Sequence, residues 1–136
     1  MNKKEKKVII CGYGLVGERL SEMLSKHNYN ITIIDIDPKA LQKAKDMGYN
    51  VILGDATHAT VLEKAGIKNA DALAIALDDD AKNLFVVITA RDLNKKIYIT
   101  ARATDEFVKD KLLDAGANYV AMPQKVASEE ILNALG

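Results

Sequence analysis

Gly12, Gly14 and Gly17 spell G-x-G-x-x-G in "GYGLVG", between the apolar run "KVIIC" (7–11) and the amphipathic run "LVGERLSEMLSKHN" (15–28). Glycines at this spacing, leaving a strand and opening a helix, suit the binding of phosphate. Gly12 permits the tight turn, Gly14 lets the backbone approach a pyrophosphate, and Gly17 lets the helix pack on the strand. Tyr13, Leu15 and Val16 complete the loop, whose N–H groups and helix dipole would receive the anion. Asp35 ends the next apolar run, "ITIID" (31–35), 18 residues beyond Gly17. A carboxylate there accepts hydrogen bonds from an adenine-ribose 2′-OH and repels a 2′-phosphate, favouring NAD(H) or an adenine nucleotide over NADP(H). Ile36 follows it. Asp37, just before Pro38, either contacts the ligand or caps the helix that Pro38 begins.

Other chemistry-bearing residues follow later strands. In "GDAT" (54–57), Asp55 either caps the short helix that follows or lines an adenine pocket with Ala56 and Thr57. Arg102, in "ITARATD", either offers a fork to phosphate or pairs with Asp105 or Glu106. The run "LDDDAKN" (77–83) places Leu77 and Asp78 at a strand end. Its three carboxylates repel one another unless they cap, pair or bind a cation. Capping by Asp79 or Asp80 is one reading; a divalent cation such as calcium is the other, without EF-hand spacing to support it.

Groups that would do hydride chemistry are missing. His27 falls at the far end of the first helix, His58 on the adenine side, and Cys11 at the base of the glycine loop, where a small buried residue is expected. The expectation is a clamp without a catalytic dyad, hence not an enzyme. A small NAD-dependent oxidoreductase is the reading this disfavours.

The elements that must hold these residues alternate regularly. Apolar runs at 7–11, 31–35, 49–54, 70–77, 96–101 and 118–123 are each followed by a helical pattern, the last at 124–135. In the first helix, Leu15, Leu20, Met23 and Leu24 fall at helical spacing. Strands this apolar are buried on both faces of a parallel sheet. Right-handed crossovers then predict an α/β, Rossmann-like doubly wound six-stranded sheet in the order 3-2-1-4-5-6. Residues 1–6 read as a polar lead and 7–136 as one domain.

The 136 residues carry 19 basic and 19 acidic side chains, which leaves no electrostatic footprint for nucleic acid. The lead "NKKEKK" reads as a solvated terminus or as a lipid- or phosphate-binding patch. One cysteine, no apparent signal peptide and no long apolar run predict a cytoplasmic chain. The helix expected over 80–93 carries Leu84, Phe85, Val86, Val87, Ile88 and Ala90, more than one stripe needs. The last helix offers Val126, Ala127, Ile131, Leu132 and Leu135. Both read as partner surfaces.

The stretches "VIICGYGLVGERL", "ITIIDIDP", "VILGDATHATVLEKAGIKNADALAIALDDDAKN", "ITARATD" and "LLDAGANYVAMPQKVAS" resemble the N-terminal Rossmann half of the KTN/RCK (TrkA-N) domains. The resemblance implies a regulator of a potassium channel or transporter membrane subunit. It would bind NAD(H), ATP, ADP or AMP, in some members a divalent cation, and assemble as a homodimer or ring at the inner face of the membrane. By position, Gly12–Gly17 would hold phosphates, Asp35, Leu77 and Asp78 the ribose, Asp55, Ala56 and Thr57 the adenine, and Arg102 a phosphate. Asp80 and Asn83 match the family's D-x-x-N spacing and would order the helix start. The smaller C-terminal lobe of many members is not among these residues. Fusion of some members to phosphoesterase domains leaves a soluble enzyme's regulatory domain as the alternative, beside a calcium-responsive module using Asp78–Asp80.

Overall fold

Six short strands lie side by side in one parallel sheet, in the chain order 3-2-1-4-5-6. The computed structural model describes residues 5–136. The strands are β1 (Lys6–Cys11), β2 (Tyr29–Asp35), β3 (Asn50–Leu53), β4 (Ala72–Ile75), β5 (Tyr98–Arg102) and β6 (Tyr119–Ala121). The helices are α1 (Leu15–Ser25), α2 (Pro38–Asp46), α3 (Ala59–Lys64), α4 (Asp80–Leu93), α5 (Glu106–Ala115) and α6 (Pro123–Leu135).

The period-2 alternation of a strand sorts β1 into two cores. Val8 and Ile10 join Ile31, Ile33, Leu41 and Ala44 beneath α1 and α2. Ile9 and Cys11 join Leu73, Val86, Val87, Ile99 and Leu112 beneath α3, α4 and α5. Both faces of the sheet are thus covered, as a sheet of continuous apolar strands requires. Each wholly buried isoleucine here contributes about 1.5–3 kcal/mol relative to exposure.

Ends differ from the sequence expectation where polar groups intervene. The helix expected over 15–28 stops at Ser25, whose hydroxyl bonds back to the Glu22 carbonyl while the His27 N–H bonds to Leu24. In that helix Leu20 and Leu24 pack on the core, whereas Leu15 and Met23 are exposed. The expected strand over 118–123 shrinks to three residues. The Asn118 N–H still reaches the Ile99 carbonyl at 2.8 Å while its side chain takes the Ile99 N–H, and Pro123 already starts α6. β1 begins at Lys6; most of the expected polar lead lies outside the described residues.

Cys11 is fully buried, and burial pushes its thiol up to about 12. A thiol reagent at pH 8 should therefore leave the native protein unlabelled and modify one thiol after denaturation, because the thiolate is the reactive species. Stoichiometric labelling of the native state would show that β1 opens at its end.

Candidate functional site

The registers bring the strand ends to one edge. Cys11 is level with Ile34 on β2 and with Ile75 on β4, so Gly12, Asp35 and Ala76 emerge together. The chain order reverses at β1, and the crevice at such a switch point is where open α/β sheets bind ligands.

Gly12 takes φ +96°, a left-handed conformation that suits glycine, and its N–H donates to the Ile34 carbonyl at 2.8 Å. The chain then doubles back so tightly that a Cβ on Gly17 would lie 1.9 Å from the Gly12 carbonyl oxygen. Gly14 is different. Its φ of −78° is ordinary, and no heavy atom lies within 4 Å of where its Cβ would stand. Two glycines serve the fold; the third keeps open space open. Gly14 is also the N-cap of α1 and makes no side-chain cap, so the helix starts with its first-turn N–H groups unsatisfied by any capping side chain.

Around this loop lies a cleft of about 610 Å³. Gly12, Gly14, Leu15, Val16 and Ile36 line it together with Asp35, Leu77, Asp78 and Arg102. A recess of about 40 Å³ adjoins it, sharing Asp35, Ile36 and Leu77 and adding Asp55 and Ala56. Gly17 packs beneath the loop rather than on the cleft wall.

Three other candidates have different surroundings. The Tyr13 side chain is buried and meets Tyr49 edge-to-face at 6.4 Å, under α2; only its backbone N–H serves the loop. Asp37 caps α2 by accepting the Lys39 N–H. Thr57 gives both its N–H and its hydroxyl to one oxygen of Asp55, at 2.9 and 2.7 Å. Asp55 therefore closes a turn on Thr57, and α3 starts at His58 with no side-chain cap. The Thr57 donors hold the Asp55 carboxyl below its usual range. That depressed folded-state value means the turn adds stability above the unfolded pKa and loses it as pH falls through the folded one.

Asp35 carries a load before any ligand arrives. One oxygen accepts the Tyr13 N–H at 2.8 Å and the other the Asp37 N–H at 2.9 Å, tying the glycine loop to the start of α2. A carboxylate has lone pairs to spare for a sugar hydroxyl as well. Arg102 has no ion pair among the described residues. Its expected competitors are engaged elsewhere: Glu106 with Lys125 at 2.6 Å, and Asp105 as the N-cap of α5. In the acidic run, Asp79 caps α4 by accepting the Lys82 N–H and Asp80 accepts the Thr104 hydroxyl. Among the described residues no three His, Cys, Asp or Glu side chains converge as a metal-binding group.

Sequence reasoning left Lys82 out. It lines both the cleft and the recess. A signal existed: a cation in the first turn of a helix opposes the macrodipole, so its presence there calls for another reason. Asn83 proves to be wholly buried, its amide donating to the Leu77 carbonyl at 2.9 Å and the Arg102 carbonyl at 3.0 Å. It fastens two walls of the cleft to one helix.

A family model described as the TrkA-N domain matches residues 8–123. Potassium channel protein 1 of Methanocaldococcus jannaschii is 42% identical over 125 residues, 90% of this chain and 38% of that protein. The Trk system potassium uptake protein TrkA homolog of Pyrococcus abyssi is 34% identical over 134 residues, 94% of this chain and 59% of that protein. This chain thus spans less than two thirds of either relative. Among solved structures, the GsuK channel bound to NAD superposes with a TM-score of 0.86 at 28% identity, over 99% of this chain and 24% of that one. The Shewanella denitrificans Kef CTD in AMP-bound form gives 0.82 at 33% identity, over 96% and 82%. The TrkA-N domain of the Escherichia coli inner membrane protein YbaL shares the fold, with a TM-score of 0.91 at 24% identity over 99% and 100%.

Proposed function

This chain belongs to the TrkA-N domain family, and on that premise we propose that it is the ligand-sensing regulatory domain of a potassium channel or transporter. It binds NAD(H) or an adenine nucleotide in the cleft at the carboxyl edge of the sheet. The observation that carries the reading is Gly14, a glycine that nothing in the chain's own packing requires, at an uncapped helix N-terminus. Phosphate oxygens would take those N–H groups, the ribose would meet Asp35, and the adenine would enter the recess beside Asp55 and Ala56. The NAD-bound channel and the AMP-bound Kef domain support this choice of ligands.

Residues 7–136 act as one domain in this reading, at the cytoplasmic face of a membrane subunit. No described helix is long and apolar enough to cross a membrane itself. Ligand binding is reported through contacts between copies of the chain, as a dimer or ring. The apolar surplus supports this: Phe85 and Ile88 on α4 are exposed, and no residue of α6 is buried, with Leu132 at 67% and Leu135 at 81% exposure.

A thermal-shift panel of NAD, NADH, ATP, ADP and AMP tests the ligand assignment. A ligand at a hundred times its Kd should raise the melting temperature by roughly 5–10 °C. Asp35→Ala should weaken every ribose-bearing ligand about tenfold or more, through the lost hydroxyl contact and the loosened glycine loop. Unchanged affinity in that variant would overturn the assignment of the ribose to Asp35.

A further inference from the structure

We propose that Lys82 makes this cleft select ligands by phosphate charge, acting with Arg102 as a two-cation anchor. This rests on the nucleotide reading above and says which ligands gain most from the site.

The position of Lys82 is unfavourable for the fold and favourable for an anion. It is the third residue of α4, inside the positive end of that helix dipole, where a carboxylate stabilises and an ammonium does not. Asp79 and Asp80 occupy the start of the helix, and the lysine forms an ion pair with neither. Its side chain is exposed, and among the described residues it forms no ion pair. Where it does stand is the junction of the cleft and the recess, beside Asp35, Ile36 and Leu77.

The two cations share a frame. Asn83, the next residue, is wholly buried and donates to the carbonyl of Arg102 itself. The backbone N–H of Lys82 is fixed on Asp79 at 3.1 Å. The main chain of both cations is thereby held; neither head forms an ion pair among the described residues, and the charge of Lys82 reaches the Asp55 carboxylate across the recess.

The need for a second cation follows from the other charges. Asp35, Asp78 and Asp79 also line the cleft, three carboxylates against two cations. With Arg102 alone, a terminal phosphate would enter a strongly negative crevice. A neutral nucleoside would not meet that repulsion, so the contribution of Lys82 rises with ligand charge.

Calorimetric titrations of adenosine, NAD and ADP into the wild type, Lys82→Gln and Lys82→Arg test this at fixed pH and ionic strength. The Gln variant should bind ADP about tenfold more weakly and NAD about threefold, with adenosine within about twofold. The Arg variant should recover most of the ADP affinity. An equal loss for all three ligands, or none for ADP, overturns the anchor. If the wild type binds ADP and the Gln variant matches it, only the role of Lys82 falls. If the wild type binds neither ADP nor NAD, the nucleotide reading falls with it.

Discussion

Gly17→Ala should destabilise the domain by more than about 3 kcal/mol, a large share of the roughly 5–15 kcal/mol by which native domains are stable. The added Cβ would stand 1.9 Å from the Gly12 carbonyl oxygen and 3.0 Å from that carbonyl carbon. Those are backbone atoms and cannot rotate aside. Gly12 is itself tied to β2 through the Ile34 carbonyl, so the strain must lift α1 away from β1. Alanine gains about 1 kcal/mol in helix propensity over glycine, and overpacking by one methylene in a core costs 1–3 kcal/mol. An overlap of more than an ångström against fixed backbone exceeds both. Urea denaturation followed by circular dichroism measures it. An unfolding free energy within about 1 kcal/mol of the wild type would mean that the loop and helix are not in this close contact.

Gly14→Val should do the reverse, keeping the fold and removing the ligand. The new side chain meets no protein atom within 4 Å at its Cβ, and the φ of −78° is one that any L-residue adopts. Stability should stay within about 1 kcal/mol. The isopropyl group would instead occupy the space through which phosphate oxygens reach the first-turn N–H groups of α1. Losing one or two charge-assisted hydrogen bonds, each worth about 1.5–3 kcal/mol, weakens binding roughly a hundredfold. The pair of variants separates the two duties of one motif. The same glycine pattern holds a position the fold requires and a position where the packing leaves room.

Much of this was legible before any coordinates. Continuous apolar runs such as "KVIIC" demanded a sheet covered on both faces, and the handedness of crossovers left the strand order 3-2-1-4-5-6, which is the order found. The TrkA-N resemblance, carried on five stretches of residues, agrees with the family match over residues 8–123. What escaped was decided by contacts between distant residues. Tyr13 stands between two cleft glycines, yet its ring turns away to Tyr49, a partner 36 positions along that no local pattern announces. Leu15 and Met23 fit the helical period of α1 but lie off the stripe that Leu20 and Leu24 bury. The short β6 ends where Pro123 starts α6, and the Asn118 side chain before it is taken by Ile99 and Arg91. Lys82 follows an acidic run whose local pattern points to capping, and the two carbonyl partners of Asn83 lie past β4 and at the end of β5, which meet only in the folded sheet.

Under the proposed function, Gly14 is kept small for a nucleotide phosphate and not for the fold. Calorimetric titration of NAD and AMP into the wild type and Gly14→Val, with melting curves of both, tests it most directly. The wild type should bind one ligand per chain saturably, the variant about a hundredfold more weakly, and the two should melt at closely similar temperatures. Equal affinities in the two proteins, or no binding of either nucleotide by the wild type, would contradict it.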